Sequence, residues 1–449
     1  MAVENDSMAC MIGRATCFVF AAGLLLAVSP VQAGNPRHPE LDIRIRPDRI
    51  NGLYTCGETA TFTIAITESN APLRVGRATW ALSKDNWRPV GGATGDVDVS
   101  NPHAVTGTLR EPGFLMLEVT LETVDGRRAS TTGGAGFEPE RLTPSLPLPD
   151  NFVEFWAKQK KKLSDLPMHP RLTTVACENA SVELYDLQLD CPGGAPVSGY
   201  FARPRARQPG TIPAILFVHA AGVRGSNTKE PVAWAGRGAL ALDINAHGIP
   251  NGQPPGFYER LAAGRLQGYA RRAGARHEDI YFHGMFMRLM RALDFLAMQP
   301  EWDREHLVVS GYSQGGGQAI AAAGLDARVT AIIAGVPALC DHSAMLAGRR
   351  PGWPRLVPQT DGTPDPVMLE LARYYDAVNF GQVTKARAFF CVGFCDIVCP
   401  PASVYSMYNV YQGPKEMFNM PTGGHSGVPA YWKLQPEVLA KFAGIDLNE

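Results

Sequence analysis

Two kinds of hydrophobic pattern divide the chain. Between residues 35 and about 145, Leu41-Asp42-Ile43-Arg44-Ile45 and Thr61-Phe62-Thr63-Ile64-Ala65-Ile66 alternate apolar with polar positions, and Phe114 to Leu121 does so in part. A period of two sends every second side chain to one face, which is the signature of a half-buried strand. Turn clusters at Gly91-Gly92 and Glu111-Pro112-Gly113 separate these runs, and no helical period interrupts them. Residues 34–143 are therefore expected to form a small antiparallel β-sandwich of immunoglobulin-like type. Trp80 and Trp87 are read as core or strand-face packing in preference to a sugar-stacking platform. Pro144-Ser145-Leu146-Pro147-Leu148-Pro149 excludes helix and sheet ladders and marks a linker over 144–149.

From residue 150 the pattern changes. Asp150 is placed to cap a helix whose apolar positions, Phe152, Phe155, Trp156 and Leu163, fall at helical spacing. Continuous apolar runs then alternate with helical segments: Ala214 to His219, Gly238 to Ile244, Leu307 to Val309, Val329 to Val336 and Arg387 to Phe394, with a long helix within Asp279 to Met298. Strands that are apolar on both faces belong in a mostly parallel sheet covered by helices, so residues 150–449 are expected to be one α/β domain.

One of those strands breaks into Gly311-Tyr312-Ser313-Gln314-Gly315-Gly316-Gly317. This is the G-x-S-x-G pattern of a nucleophile elbow, with the strand before it and the small-residue helix after it that the pattern requires, and it leads to the expectation of an α/β-hydrolase fold for this domain. A serine hydroxyl is a poor nucleophile at neutral pH and needs a base and a group to orient that base, which on this fold follow in the order Ser, acid, His. Only His342 and His425 lie beyond Ser313. His425 sits in the glycine-flanked segment Thr422-Gly423-Gly424-His425-Ser426, whereas His342 comes too early for that order. Asp396, at the end of the strand Phe389 to Phe394, is the preferred acid, with Asp341 as its main rival; Asp361 and Asp365 read as surface loop and Asp376 as helical. The oxyanion formed in acyl transfer requires two aimed amide donors, assigned to the backbone N–H groups of Gln314 and Ala221, while His219 is read as closing its loop.

Composition narrows the partners. The 449 residues exceed one ordinary domain, and 42 basic against 43 acidic side chains leave no electrostatic case for nucleic acid or an anionic membrane. Arg14, the apolar stretch Ala15 to Val28 and Ser29-Pro30-Val31-Gln32-Ala33 read as a signal peptide over residues 1–33, implying a secreted or periplasmic protein with no membrane span once it is removed. Of nine cysteines, Cys10 and Cys17 leave with it, and the odd remainder must include an unpaired thiol. Cys391, Cys395 and Cys399 match no common zinc spacing, so neither metal nor organic cofactor is expected.

Together these pieces resemble the acetyl xylan esterase and cephalosporin C deacetylase family of serine α/β-hydrolases. The resemblance is carried by Pro149 to Trp156, the His219 loop, Gly311 to Gly317, Val336 to Asp341 and Asp396-Ile397-Val398-Cys399-Pro400-Pro401. It implies deacetylation of sugar hydroxyls by Ser313, Asp396 and His425, an acetylated carbohydrate as substrate, and a ring-like homo-oligomer. The chain departs from that family where Ala221 replaces a tyrosine, where Asn245-Ala246-His247-Gly248 replaces Arg-Gly-Gln-Gly, and where Ser426 replaces a glutamate. Two other functions fit the same residues: a peptidase or other ester hydrolase on this fold, and a carbohydrate-binding protein with an inactive hydrolase domain.

Overall fold

Apolar strands with no polar face are stable only in the interior of a sheet, and here they form the middle of a nine-stranded one. The computed structural model describes residues 41–447 apart from 74, 86 and 427, so the signal peptide expected over residues 1–33 lies outside the described residues. The strands are β1 (Arg171–Val175), β2 (Val182–Leu189), β3 (Val197–Pro204), β4 (Ile212–Val218), β5 (Leu240–Ile244), β6 (Trp302–Tyr312), β7 (Ala331–Gly335), β8 (Arg387–Gly393) and β9 (Lys415–Met420). Their order across the sheet is β1-β2-β3-β5-β4-β6-β7-β8-β9. β4 to β9 run parallel, and β1 to β3 add an antiparallel flank joined through the β3–β5 pair.

Six helices matter below: α1 (Phe152–Ser164), α2 (Lys229–Ala235), α3 (Tyr281–Ala297), α4 (Gln314–Leu325), α5 (Pro401–Val410) and α6 (Pro429–Ala443). Because side chains alternate along a strand, the two faces of the sheet recruit different helices. Leu216, Val309, Ile332 and Phe390 pack with α1, α3, α4 and α5, while Ile215, Phe217, Val308 and Ile333 pack with α2 and α6. The cap of α1 differs from expectation. Asn151 occupies the N-cap position, its carbonyl accepting from Phe155 N at 2.8 Å, and Asp150 lies one residue too early to cap.

The first part of the chain forms two further sheets. Leu41–Pro47, Ala60–Glu68, Ala71–Pro72 and His103–Gly107 make one, and Leu53–Tyr54, Gly76–Lys84, Arg88–Val97, Gly113–Thr123 and Arg128–Phe137 make the other. Ile45, Phe62, Ile64, Leu82, Leu117, Val119 and Phe137 form one core with Trp80 packed at its margin. Trp87 is not part of it. It lies in the turn between two strands, 43% exposed, with the Arg350 guanidinium 5.9 Å from its ring centroid.

All described residues fall within one compact unit. Phe114 meets Phe394 edge to face at 4.9 Å, and Gly134 N–H donates to the Pro421 carbonyl at 2.7 Å. Glycine is required at 134 because a Cβ there would lie 2.6 Å from that of Phe394. The proline-rich segment 144–149 is anchored as well: Ser145 Oγ donates to Asp341 and Arg373 donates to the Pro147 carbonyl. Among the described residues no helix is long and apolar enough to cross a membrane.

Candidate active site

The carboxyl ends of β4 to β9 share one rim of the sheet, where a ligand site on such a fold is expected. β6 ends at Tyr312, and the chain turns into α4 through Ser313, held at φ 57° and ψ −117°. Such a conformation costs about 1–3 kcal/mol and persists only where neighbours enforce it. Here Ser313 N–H donates to the Gly335 carbonyl at 2.8 Å, and its own carbonyl accepts from Gly317 and Ala338. The turn also demands bare backbone, since a Cβ at Gly315 would lie 2.3 Å from the Val218 carbonyl.

The strained serine faces a histidine. Ser313 Oγ lies 2.9 Å from His425 Nε2, and His425 Nδ1 lies 2.8 Å from Asp396 Oδ2. Asp396 follows β8 and is fully buried. Its other oxygen, Oδ1, accepts from Val398 N and Cys399 N, both at 2.8 Å, which turns Oδ2 toward the imidazole. His425 comes from the loop after β9, and the Tyr312 hydroxyl donates to its carbonyl, tying that loop to the residue before the serine.

The rival acids have other partners. Asp341 pairs with Arg349 at 2.9 Å and accepts from Ser145, and burial pushes its carboxyl up to about 6. Asp376 accepts from the amides of Asp341, His342 and Val378, capping the short helix that follows it. Asp365 caps Pro366–Ala372, and Asp361 lies in a two-stranded turn. His342 is buried, makes no hydrogen bond to the serine among the described residues, and has its pKa lowered to about 4 by burial.

Gln314 N–H opens helix α4 beside the serine, and Ala221 lies on the loop after β4. His219 closes that loop through Nε2, 2.6 Å from Asp243 Oδ1. Reasoning from sequence missed Asp243, although a lone carboxylate in the apolar run Leu240 to Ile244 was a signal that a partner must exist. Among the described residues, one group of potential metal ligands comes together, Asp396, Cys399 and His425, with donor atoms within 4.8 Å of one another. Cys391 and Cys395 stand outside it, and all seven described cysteines are unpaired.

A cavity of about 510 Å³ lies between α2 and α6, walled by Trp234, Tyr312, Tyr431 and Trp432. It includes Ser310 to Tyr312 but neither Ser313 nor His425.

The model of the acetyl xylan esterase family (AXE1) matches residues 140–442, more than half of the chain. The chain is 28% identical over 392 residues to the acetyl esterase Axe7A of Xylanibacter ruminicola, covering 84% of this chain and 85% of that protein. An acetyl xylan esterase from Paenibacillus sp. R4 is similar in structure with a TM-score of 0.57 at 26% identity, over 68% of this chain and 98% of that one. Acetyl xylan esterase 1 from Thermoanaerobacterium sp. JW/SL YS485 shares the fold with a TM-score of 0.56 at 22% identity, again over 68% and 98%.

Proposed function

The chain belongs to the acetyl xylan esterase family, and from that premise we propose that it is an exported serine esterase, secreted or periplasmic, that removes acetyl groups from xylan or related acetylated oligosaccharides. The observation that carries this reading is the unbroken relay from Ser313 Oγ to His425 at 2.9 Å and from His425 to Asp396 at 2.8 Å. Ser313 attacks the ester carbonyl while His425 Nε2 takes its proton. Asp396 holds the imidazole in the tautomer with Nδ1 protonated and stabilises the imidazolium that forms. The amides of Gln314 and Ala221 receive the negative charge on the former carbonyl oxygen. His425 then returns its proton to the leaving sugar hydroxyl, leaving an acetyl-serine. Water, deprotonated by His425, attacks that ester, and as the bond from the acyl carbon to Ser313 Oγ breaks His425 gives the proton back to Oγ, releasing acetate and restoring the serine.

The chemistry is tested by Ser313→Ala, which is expected to lower p-nitrophenyl acetate hydrolysis by roughly 10³-fold or more. Full activity in that variant would end the proposal. The substrate class is tested separately by acetate release from acetylated xylan against small acetylated sugars, with a peptide panel as control. Cleavage of peptides alone would replace deacetylation with proteolysis.

A further inference from the structure

The loop that follows β4 holds its own peptides with a side chain from further along. Arg224 folds back so that Nη2 donates to the Ala220 carbonyl and Nη1 to the Ala221 carbonyl, each at 3.0 Å. In a trans peptide the C=O and the N–H of the same unit point in opposite directions. Drawing the Ala220 oxygen toward Arg224 therefore directs the Ala221 N–H away from it, and drawing the Ala221 oxygen does the same for Gly222.

The second of these amides is occupied. Gly222 N–H donates to the Tyr269 hydroxyl at 3.1 Å, and that hydroxyl donates its own proton to Gln314 Oε1 at 2.8 Å. Tyr269 is 7% exposed and its ring meets those of His247 and Tyr281, so the hydroxyl is held in place. It bridges the β4 loop to the first residue of α4. The Ala221 N–H has no acceptor among the described residues, and neither has the Gln314 N–H at the start of its helix. A methyl group at 221 offers nothing to orient its own peptide.

We infer that Arg224 and Tyr269 are positioning residues that aim the Ala221 amide as the second oxyanion donor, an inference that rests on the serine-esterase reading above. Arg224 fixes the plane of the 220–221 peptide, and its positive charge on the carbonyl end polarises that unit so that the N–H is a stronger donor. Tyr269 takes up the neighbouring amide and fixes the distance between the loop and Gln314. The effect of both side chains is felt where charge develops on the reacting oxygen, not where the ground state binds.

The test compares Arg224→Met, Arg224→Lys and Tyr269→Phe by kcat and KM on p-nitrophenyl acetate, and by inhibition with phenylboronic acid, which forms a tetrahedral adduct on an active serine. Removing one oxyanion donor costs roughly 10²–10³-fold, so misaiming one in Arg224→Met should lower kcat by roughly 30-fold or more. KM should stay within about twofold, and the boronate inhibition constant should rise by a factor similar to the fall in kcat. Arg224→Lys keeps the charge but loses the two-pronged grip, and should recover part of the loss. Tyr269→Phe keeps the ring packing and should lose roughly tenfold in kcat with a matching boronate shift. If Arg224→Met does not fold, Tyr269→Phe carries the test. Unchanged kcat, or a fall in kcat with boronate affinity unmoved, would overturn the inference. Fluorophosphonate labelling of the unsubstituted protein separates the two levels. Failure to label Ser313 removes the esterase reading itself, whereas normal labelling with silent Arg224 and Tyr269 variants removes only this inference.

Discussion

Two histidine–aspartate pairs sit on the same rim of the sheet, and they are built differently. His219 Nε2 meets Asp243 at 2.6 Å, and His425 Nδ1 meets Asp396 at 2.8 Å. Asp243 also accepts from the backbone and side chain of Asn227, while the remaining nitrogen of His219 is buried with no partner among the described residues. The remaining nitrogen of His425 faces a hydroxyl at 2.9 Å, and its side chain keeps 21% exposure. On the serine-esterase reading, a carboxylate beside an imidazole is not by itself enough for proton transfer. What separates the two is whether the far side of the ring has a proton to receive and a route to water.

The largest effect that sharpens this comparison is expected from Asp396→Asn. The amide preserves shape but not the tautomer, so kcat on p-nitrophenyl acetate should fall by roughly 10⁴-fold. Asp243→Asn should show the reverse emphasis, a loss of about 3 kcal/mol in urea unfolding with kcat within about tenfold of normal. If Asp243→Asn were as inactive as Asp396→Asn while equally well folded, the distinction between the pairs would collapse.

A third histidine gives a reference without a carboxylate. His247 is buried, with Nε2 on the Gly222 carbonyl and Nδ1 against the Tyr281 hydroxyl. Burial, together with the nearby cations Arg288 and Arg224 and the ring of His219, lowers its pKa to about 4. The unfolded chain has a histidine pKa of about 6.5, so between these values the unfolded state binds the extra proton. The stability linked to neutral His247 is complete above that window and is lost as pH falls toward about 4, with a slope of at most about 1.4 kcal/mol per pH unit. His247→Gln should remove this dependence, so its stability difference from the unsubstituted protein should shrink by about 1–2 kcal/mol between pH 7.5 and pH 5. An equal difference at both values would mean that His247 does not titrate this way.

The smallest effect concerns the link between the two halves of the relay. Tyr312→Phe removes the hydrogen bond to the His425 carbonyl and should cost about 1 kcal/mol of stability, with kcat lowered by only a few fold. A loss as deep as that of Asp396→Asn would show that the tyrosine does more than hold the loop.

The strands β4 to β8 were legible because each is a continuous apolar run bounded by turns, and Ser313, Asp396 and His425 because strand ends and glycines mark them in a fixed order. The antiparallel flank was not. β2 breaks its alternation at Asp186, and β3 hides a fully buried stretch behind Ser198 and Gly199, small residues that carry little hydropathy signal. The Asp243 partnership was invisible for a different reason: a 24-residue separation in sequence says nothing of contact until β4 and β5 are paired. Trp87 was misread because hydropathy distinguishes apolar from polar positions, not a strand face from the turn beside it.

The meeting of Phe114 with Phe394 and of Gly134 with Pro421 bears on what a shortened version of this enzyme would be. Phe394 immediately precedes the segment that carries Asp396, and Pro421 begins the segment that carries His425. Trimming the chain at its prolines would spare every strand of the nine-stranded sheet, yet on those two segments it would bare one aromatic ring and take the amide donor from one carbonyl, which among the described residues would keep only the Cys395 thiol at 3.4 Å. The leading β-module thus braces the two segments that carry Asp396 and His425.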